Sequence, residues 1–310
     1  ESVGGLTELI KGRVLVPHNG SWTRLRWVTR HELAHAYMLE KLSQVMKAHR
    51  KPPSWLPPLW FIEGLAEYCG TTWDADAEGL LRDLVVSRLA QPLTRSDAIT
   101  GTVLMYKEGQ SFLLWLAERY GERRIFQLLE NAWRAEDFET CFRLTYGRPL
   151  ADVDEEWFRS LRRRYFPAVA VRQRPADVAR PFRQDSRFNL GARALPAPAS
   201  PDSAVRFCWF EVNDGAVDLM VSEPAEGGGR RTRRLLRGGG TPMFESFHLF
   251  QNRPGVSRSG RIALSAQQGG RDAVMILEAH GGRVLRELRF PDLVSIHDPS
   301  PAPGDSAVVF

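Results

Sequence analysis

The spacing of apolar residues changes character about half way along the chain. Up to residue 166, apolar side chains recur every three to four positions, as in amphipathic helices, and glycines stand mostly at the ends of these stretches. This pattern predicts helices over 21–49, 59–70, 76–90, 104–120, 122–134 and 152–165. We therefore expect the first part of the chain to be mainly helical.

Beyond the helical part, short apolar runs are separated by turns rich in glycine and proline, a pattern typical of strands. It predicts strands over 205–212, 217–222, 261–266, 273–278 and 284–290. A polar stretch rich in proline precedes them and is typical of a linker. The predicted organisation is a multidomain α+β chain, with a helical domain at 1–166, a linker at 167–199 and an all-β domain at 200–310.

The strand part contains a loose repeat. The turn sequences S-P-D-S at 200–203, S-R-S-G at 257–260 and P-G-D-S at 303–306 each precede an apolar strand. After the first two, a polar bend and two further strands follow. Intervals of roughly 44 to 57 residues match the length of a β-propeller blade. With only two full periods, an ordinary β-sandwich is the alternative.

These turns resemble the Ser-Pro-Asp-Gly turns of the TolB-like β-propeller family. The resemblance covers roughly 195–310 and is degenerate, because 200–202 lacks the glycine, 257–260 lacks the proline and the aspartate, and P-A-P-G at 301–304 keeps only part of the turn. Too few blades are present to close a ring, so the resemblance implies that the chain stops inside a larger propeller. The chain also begins at Glu1 rather than Met, from which we expect an upstream segment.

Composition narrows the functional classes. The 310 residues are 43% hydrophobic and 25% charged, and no apolar run reaches the length of about 18 residues typical of a membrane span. The three cysteines are too widely spaced for a disulfide framework. Much of the net charge of +5 comes from arginine-rich stretches such as 230–237. We interpret that stretch as a solvated loop and expect no nucleic-acid partner.

The strongest local signal is the sequence H-E-L-A-H at 31–35. On a helix, residues four apart share a face, with Cβ atoms about 5–6 Å apart, so that His31 and His35 can converge on one zinc ion. Glu32 projects beside them and is placed to take a proton from water. The helix itself is favoured because neither glycine nor proline occurs between Ser21 and Arg50. Catalytic zinc usually needs a third protein ligand.

A second motif supplies that ligand. The sequence W-F-I-E-G-L-A-E-Y at 60–68 follows two prolines and opens a new helix. Glu63 is the candidate ligand, and Glu67, one turn later on the same face, can accept a hydrogen bond from the outer nitrogen of a ligating histidine. The alternative is that both are solvated helix charges. Gly64 favours the ligand hypothesis, because it leaves room for close packing around a buried carboxylate.

Together, H-E-x-x-H and W-x-x-E-G-x-A-x-Y resemble the gluzincin metallopeptidases, the group of thermolysin and aminopeptidase N. The resemblance implies a mainly helical peptidase domain with a small edge sheet, and one Zn²⁺ held by His31, His35 and Glu63. It also implies that Glu32 is the general base. The 27 residues between His35 and Glu63 exceed the spacing in those two enzymes. They fit better the bacterial peptidase-MA-like proteins, which join such a domain to a TolB-like propeller.

The sequence Y-K-E-G at 106–109 is similar to the Y-x-K-G segment of the aminopeptidase group, although the order of lysine and glutamate differs. In that group the tyrosine hydroxyl stabilises the tetrahedral oxyanion. The resemblance therefore implies that Tyr106 is a catalytic hydrogen-bond donor. A tyrosine that is simply packed against its neighbours is the alternative.

A short strand is predicted before the zinc-binding motif. It comprises Arg13, Val14, Leu15 and Val16, and Pro17 ends it. By analogy with gluzincins, such an edge strand would pair with the backbone of a bound peptide. An ordinary sheet strand is the alternative.

The predicted function is a zinc-dependent hydrolase that acts on peptides or proteins. We expect an endopeptidase, because no pair of residues marks an anchor for an N-terminal amine. The alternative is a catalytically silent scaffold whose propeller binds a protein partner. TolB-like propellers are often exported, so the resemblance implies a location in the periplasm or cell envelope.

Overall fold

The computed structural model describes residues 4–8, 13–18, 21–52, 55–95, 100–173, 175–179, 182, 188–196, 205–213, 215–225, 229–239, 241–248 and 252–310. The chain divides into two compact units, Ser2–Arg180 and Pro181–Phe310. The first is mainly helical and the second consists of antiparallel sheets, so the mixed α+β class is confirmed.

Two sequence predictions concern the chain as a whole. Within the described ranges, no helix combines the length and the apolar character needed to cross a bilayer. The cysteines Cys69, Cys141 and Cys208 are all free thiols, as their spacing predicts. Cys141 and Cys208 are buried and act as small apolar core residues.

A small hairpin opens the first unit. Strands β1 (Leu6–Thr7) and β2 (Val14–Leu15) pair in antiparallel register. Arg13 and Glu8 fasten the hairpin on its solvent side, because the Arg13 guanidinium donates to both carboxylate oxygens of Glu8 at 2.8 and 2.9 Å. Of the predicted strand 13–16, Val14 and Leu15 form β2, and the Arg13 carbonyl accepts a further hydrogen bond from the Glu8 backbone N–H at 2.8 Å.

Eight helices follow among the described residues of this unit. They are α1 (Trp22–Ala48), α2 (Leu59–Gly70), α3 (Ala75–Val86), α4 (Val103–Tyr120), α5 (Arg123–Glu130), α6 (Phe138–Tyr146), α7 (Leu150–Ala170) and α8 (Pro175–Val178). The predicted helix 122–134 ends earlier, as α5 followed by a 3-10 turn at Ala132–Arg134. Helix α6 is missing from the prediction, although Asp137 caps its start and Gly147, at φ +73°, ends it.

Glycines bring α2 and α4 into close contact. A Cβ atom added to Gly64 on α2 would lie 2.7 Å from the carbonyl carbon of Gly109 on α4. Beneath this contact lies an aromatic core that includes Phe61 and Phe112, both fully buried. The close approach sets the site residues of α2 opposite those of α4.

We expect Gly64→Ala to lower the free energy of unfolding of the first unit by about 1–3 kcal/mol, because the added methyl group has backbone on its far side and one helix must shift. Gly79→Ala on α3 is the matched control. It meets nothing within 4 Å and should stabilise the helix by about 0.5–1 kcal/mol. Urea unfolding measures both, and equal effects would contradict this account of the α2–α4 contact.

The second unit contains two four-stranded antiparallel meanders. Strands β3 (Asn189–Leu195), β4 (Arg206–Asn213), β5 (Ala216–Pro224) and β6 (Arg230–Leu236) form the first sheet in chain order. Strands β7 (Gly255–Val256), β8 (Arg261–Gln268), β9 (Arg271–Glu278) and β10 (Val284–Arg289) form the second. A pair of two-residue strands, β11 (Ser300–Pro301) and β12 (Val308–Val309), follows. Each predicted three-strand repeat therefore has one further strand ahead of it, β3 or β7.

The two meanders share one apolar core and repeat one polar contact. Inward residues of β4, such as Phe210, pack in the same cluster as those of β8, such as Leu264. In the first meander the Asp218 carboxylate accepts a hydrogen bond from the Gly238 backbone N–H at 3.3 Å. In the second, Asp272 accepts one from the Ile296 backbone N–H at 2.9 Å. In both, an aspartate near the start of the third strand holds the chain that leaves the fourth.

The structure differs from the prediction in the segment between the two parts. Helix α7 continues to Ala170, through Pro167, because a proline near the end of a helix removes only one hydrogen bond. Strand β3 lies inside the predicted linker 167–199. The turn 200–203 lies outside the described residues.

The interpretation of 230–237 as a solvated loop is wrong, because this stretch forms β6 at the edge of a sheet. Its charges suit an edge strand, where arginines discourage pairing with other chains. Arg234 forms an ion pair with the buried Asp218 at 3.3 Å, and Arg230 lies over the rings of Phe182 and Phe207. These side chains are therefore tied to their own sheet.

Candidate metal centre

Three potential ligands converge where α1 meets α2. The Nε2 atoms of His31 and His35 lie 3.1 Å apart, and each lies 3.3 Å from Oε2 of Glu63. The unbroken helix α1, capped by the Ser21 hydroxyl, brings the histidines onto one face. Gly70 at the end of α2 lets the two helices touch at His31, because a Cβ there would lie 2.8 Å from the His31 backbone nitrogen.

This arrangement fits a single zinc ion. Ligands about 2.0–2.1 Å from a tetrahedral zinc ion lie about 3.3–3.4 Å from one another, close to the three spacings observed. The donor set of two imidazoles and one carboxylate matches a common catalytic zinc site. The three side chains are 12–14% exposed, so the cluster is buried on one side and open to the cleft on the other.

Glu67 holds the outer nitrogen of His31. Its Oε1 lies 3.0 Å from Nδ1 of His31, an arrangement that selects the tautomer with Nε2 free to bind a metal. Its Oε2 accepts hydrogen bonds from the Lys107 ammonium at 2.5 Å and from the Thr71 hydroxyl at 3.1 Å. Gln110 donates to the Glu67 carbonyl at 3.2 Å. Glu67 is thus fixed in position and neutralised by one lysine.

Sequence reasoning missed Lys107, Thr71 and Gln110. Their roles depend on how α4 packs against α2, which the spacing of residues along one helix does not reveal. One signal was present, because Lys107 directly follows Tyr106 within the Y-K-E-G motif.

Glu32 is buried beside the ligands, with 5% of its surface exposed. The Thr7 hydroxyl lies 2.6 Å from Glu32 Oε2 and 3.0 Å from the Glu32 carbonyl oxygen, and so fastens β1 to α1. Gly5 permits this approach, since a Cβ there would lie 2.5 Å from Glu32 Oε1. Neither Thr7 nor Gly5 is identified by the sequence motifs.

Tyr106 lies in the first turn of α4 and faces the same cluster. Its ring is stacked on that of His31, with centroids 6.1 Å apart and planes inclined by 11°. Burial, together with the charge of Glu63 and a hydrogen bond to it, raises the pKa of Tyr106 to about 12. The hydroxyl therefore keeps its proton near neutral pH and can act as a hydrogen-bond donor.

The charges of the cluster are strongly coupled. Burial lowers the pKa of the His31 imidazole, but hydrogen bonds and charge from Glu63 and Glu67 outweigh it and raise that pKa to about 9. Burial raises the pKa of both carboxyls, but their histidine partners, and Lys107 at Glu67, bring each pKa down to about 2. The two glutamates are therefore anionic near neutral pH, whereas the metal-free His31 is protonated there, so that a metal that binds at Nε2 displaces a proton.

A cleft of about 790 Å³ opens beside the cluster. Its walls come from one face of α1, from α2, from Tyr106 and from Gly4 to Thr7. None of Arg13, Val14, Leu15 and Val16, predicted as the substrate edge, lines it. Strand β1 does so instead, because the Thr7 hydroxyl anchors it to Glu32 and Gly5 lets it lie close to α1.

Helix α4 also buries Glu108, whose side chain has no exposed surface. Burial, and to a lesser extent the charge of Asp154, raises the pKa of Glu108 to about 8. This pKa is higher in the folded protein than in the unfolded chain. The contribution of the protonated Glu108 carboxyl to the free energy of unfolding is therefore fully present below about pH 4.5 and is lost as the pH rises through 8.

We expect Glu108→Gln to remove this pH dependence and to be more stable than wild type at pH 8, by on the order of 4 kcal/mol. The measurement is urea unfolding between pH 5 and 9. Glu118→Gln, exposed on the same helix, is the control and should follow the wild-type curve. Parallel curves for wild type and Glu108→Gln would contradict the expectation.

Comparison with protein-family models, with curated protein sequences and with solved structures finds no match to this chain.

Proposed function

We propose that the protein is a zinc-dependent endopeptidase of the gluzincin type. The convergence of His31, His35 and Glu63 at 3.1–3.3 Å is the observation that carries the proposal. It is supported by the position of Glu32 and Tyr106 in the same cleft. The segments that meet there are the ones in which the sequence resembles gluzincins.

His31, His35 and Glu63 would hold one Zn²⁺, which when bound supplies Lewis-acid polarisation of water and of the peptide carbonyl. Glu67 accepts a hydrogen bond from Nδ1–H of His31 and so keeps its Nε2 directed at Glu63 and His35. Lys107 balances the charge of Glu67, so that the carboxylate remains a hydrogen-bond acceptor without adding a further net negative charge.

Glu32 acts as the general base and then as the general acid. Its carboxylate accepts a proton from the attacking water and delivers it to the leaving amine. The Thr7 hydroxyl holds Oε2 of this carboxylate and so restricts its rotation. Burial beside the cleft keeps bulk water from competing for the proton.

Tyr106 donates a hydrogen bond to the oxyanion that develops on the substrate carbonyl. Its raised pKa keeps the hydroxyl protonated, and its parallel stacking on His31 fixes the direction of the ring. To reach the substrate oxygen, the hydroxyl exchanges its hydrogen bond with Glu63 for one to the substrate.

Strand β1 is the element proposed to pair with the peptide backbone. It is bound to β2 on one edge, and it lines the cleft together with Gly4 and Gly5. An extended peptide could add to such an edge through main-chain hydrogen bonds. Strand β1 thus takes the role of substrate-binding edge that the sequence predicted for 13–16.

We propose that the second unit is part of a TolB-like β-propeller that binds substrate or a protein partner. Two successive four-stranded meanders, packed on a shared core, have the form of neighbouring blades. The repeated contact of Asp218 and Asp272 with the chain after the fourth strand supports a repeat. A two-sheet sandwich is the alternative.

Digestion of a peptide library, followed by mass spectrometry, tests the peptidase proposal. Cleavage within the peptides is expected with zinc present, should disappear after chelation, and should return when zinc is restored. Failure to cleave any peptide while zinc is bound would contradict the proposal and favour the catalytically silent scaffold.

A further inference from the structure

The cleft changes chemical character along α1. The histidines of the candidate metal site lie near the middle of the part of α1 that lines the cleft, at positions 31 and 35. At one end the walls are apolar and come from Met38, Leu39, Leu56, Leu59 and Ile62. At the other end lie the polar side chains of Ser21, Thr23 and Arg24, with Trp27 and Val28 between them and the cluster. A peptide that crosses the metal cluster therefore meets different surroundings on either side of the scissile bond.

Arg24 is the feature that distinguishes the polar end. It lies seven residues before His31 on the same face of α1, which corresponds to about 10 Å along the helix axis. The residue is half-buried and lines the cleft. Within the described ranges its guanidinium has no ion pair or hydrogen-bond partner, and the hydrogen bond that the Ser21 hydroxyl accepts comes from the Arg24 backbone N–H.

The described residues that line the cleft leave the charge of Arg24 uncompensated as well. The acidic side chains among them are Glu32, Glu63 and Glu67. Each is already engaged, Glu32 by Thr7, Glu63 by the two histidines, and Glu67 by His31 and Lys107. The first turn of α1 contains no acidic residue.

An arginine guanidinium favours a carboxylate partner, which it binds through two parallel hydrogen bonds. Resting on the proposed peptidase function, we propose that Arg24 binds a carboxylate of the peptide substrate. An extended peptide advances about 3.3 Å per residue, so this carboxylate lies two to three residues from the scissile bond. It belongs either to an aspartate or glutamate side chain or to the C-terminus of the peptide.

Matched peptides test this inference. Each pair differs only by Glu or Gln at one of three positions on either side of a fixed cleavage site, and each is made with a free and with an amidated C-terminus. Wild type should prefer the carboxylate about tenfold in kcat/KM, at one position or at the free C-terminus. The first result identifies a side-chain carboxylate, as an endopeptidase requires. The second identifies a terminal carboxylate, and it would replace the endopeptidase of the proposed function with an exopeptidase that cuts two to three residues from the C-terminus.

Variants of Arg24 assign the preference to this residue. The ratio of kcat/KM for the carboxylate peptide to kcat/KM for its neutral partner should fall to about one in Arg24→Gln. In Arg24→Glu the neutral peptide should become the better substrate. Arg26→Glu introduces the same change of charge on α1 at an exposed position that does not line the cleft, and it should keep the wild-type ratio. Raised salt should reduce the wild-type ratio.

The outcomes separate this inference from the function on which it rests. If wild type cleaves the peptides but treats each pair equally, or if Arg24→Gln keeps the wild-type ratio, carboxylate binding by Arg24 is wrong and the peptidase proposal stands. If zinc-loaded wild type cleaves none of the peptides, both fail.

Discussion

Glu32→Gln is expected to lower kcat for peptide hydrolysis by about 10³–10⁴-fold while zinc remains bound. The amide keeps the shape of the carboxylate and still accepts the hydrogen bond from Thr7, which lies 2.6 Å from Glu32 Oε2 in the wild type. What it loses is the ability to take a proton from water, which is the contribution of a general base. The effect should therefore appear in kcat rather than in zinc content.

Two measurements on the same preparation check this expectation, namely steady-state hydrolysis of a cleaved peptide and zinc content by mass spectrometry. Glu40→Gln makes the same substitution on an exposed turn of α1 outside the cleft and serves as the control. A Glu32→Gln variant that retains most of its kcat would show that another group accepts the proton.

Glu63→Gln is expected to weaken zinc binding by about 10²–10³-fold, because it replaces a charged ligand with a neutral one and a protein zinc site draws roughly 3 kcal/mol from each ligand. Glu67→Gln is expected to weaken zinc binding to a smaller extent. It disturbs the hydrogen bond to His31 Nδ1 but leaves the ligands in place, so the loss should be about 10–100-fold.

Competition with a chromogenic zinc chelator measures both affinities. We expect wild type to bind zinc most tightly, Glu67→Gln less tightly, and Glu63→Gln most weakly. If Glu63→Gln binds zinc as tightly as wild type, Glu63 is not a zinc ligand, although its carboxylate lies 3.3 Å from both histidines.

Local sequence signals predicted much of the helical unit. Helix α1 forms where expected because Ser21 caps it and no glycine or proline interrupts it. The residue four positions after His31 must then share its face, so the pairing of His31 and His35 follows from helix geometry alone. The nearness of Glu63 depended on packing between helices, and was inferred from Gly64 and from the resemblance.

Tertiary contacts explain what the sequence did not reveal. Lys107 reaches Glu67 only because Gly64 and Gly109 bring α2 and α4 together. Strand β1, rather than 13–16, lines the cleft because of one side-chain contact, from Thr7 to Glu32. Such contacts join positions far apart in the chain, and periodicity within one element carries no information about them.

The arginines of β6 illustrate a different limit. Successive charges resemble a solvated loop when the sequence is read alone, yet the strand is stabilised by pairing with β5. An edge strand needs only one paired side and tolerates charge on the other. Its formation therefore depends on the neighbouring strand rather than on its own pattern.

The most direct test of the account is a zinc titration of metal-free protein in which peptide cleavage is followed in the same sample. Cleavage is predicted to be absent at the start, to rise in proportion to added zinc, and to reach a plateau at one equivalent per chain. Cleavage by the metal-free protein, or zinc bound at one equivalent without any cleavage, would contradict the account.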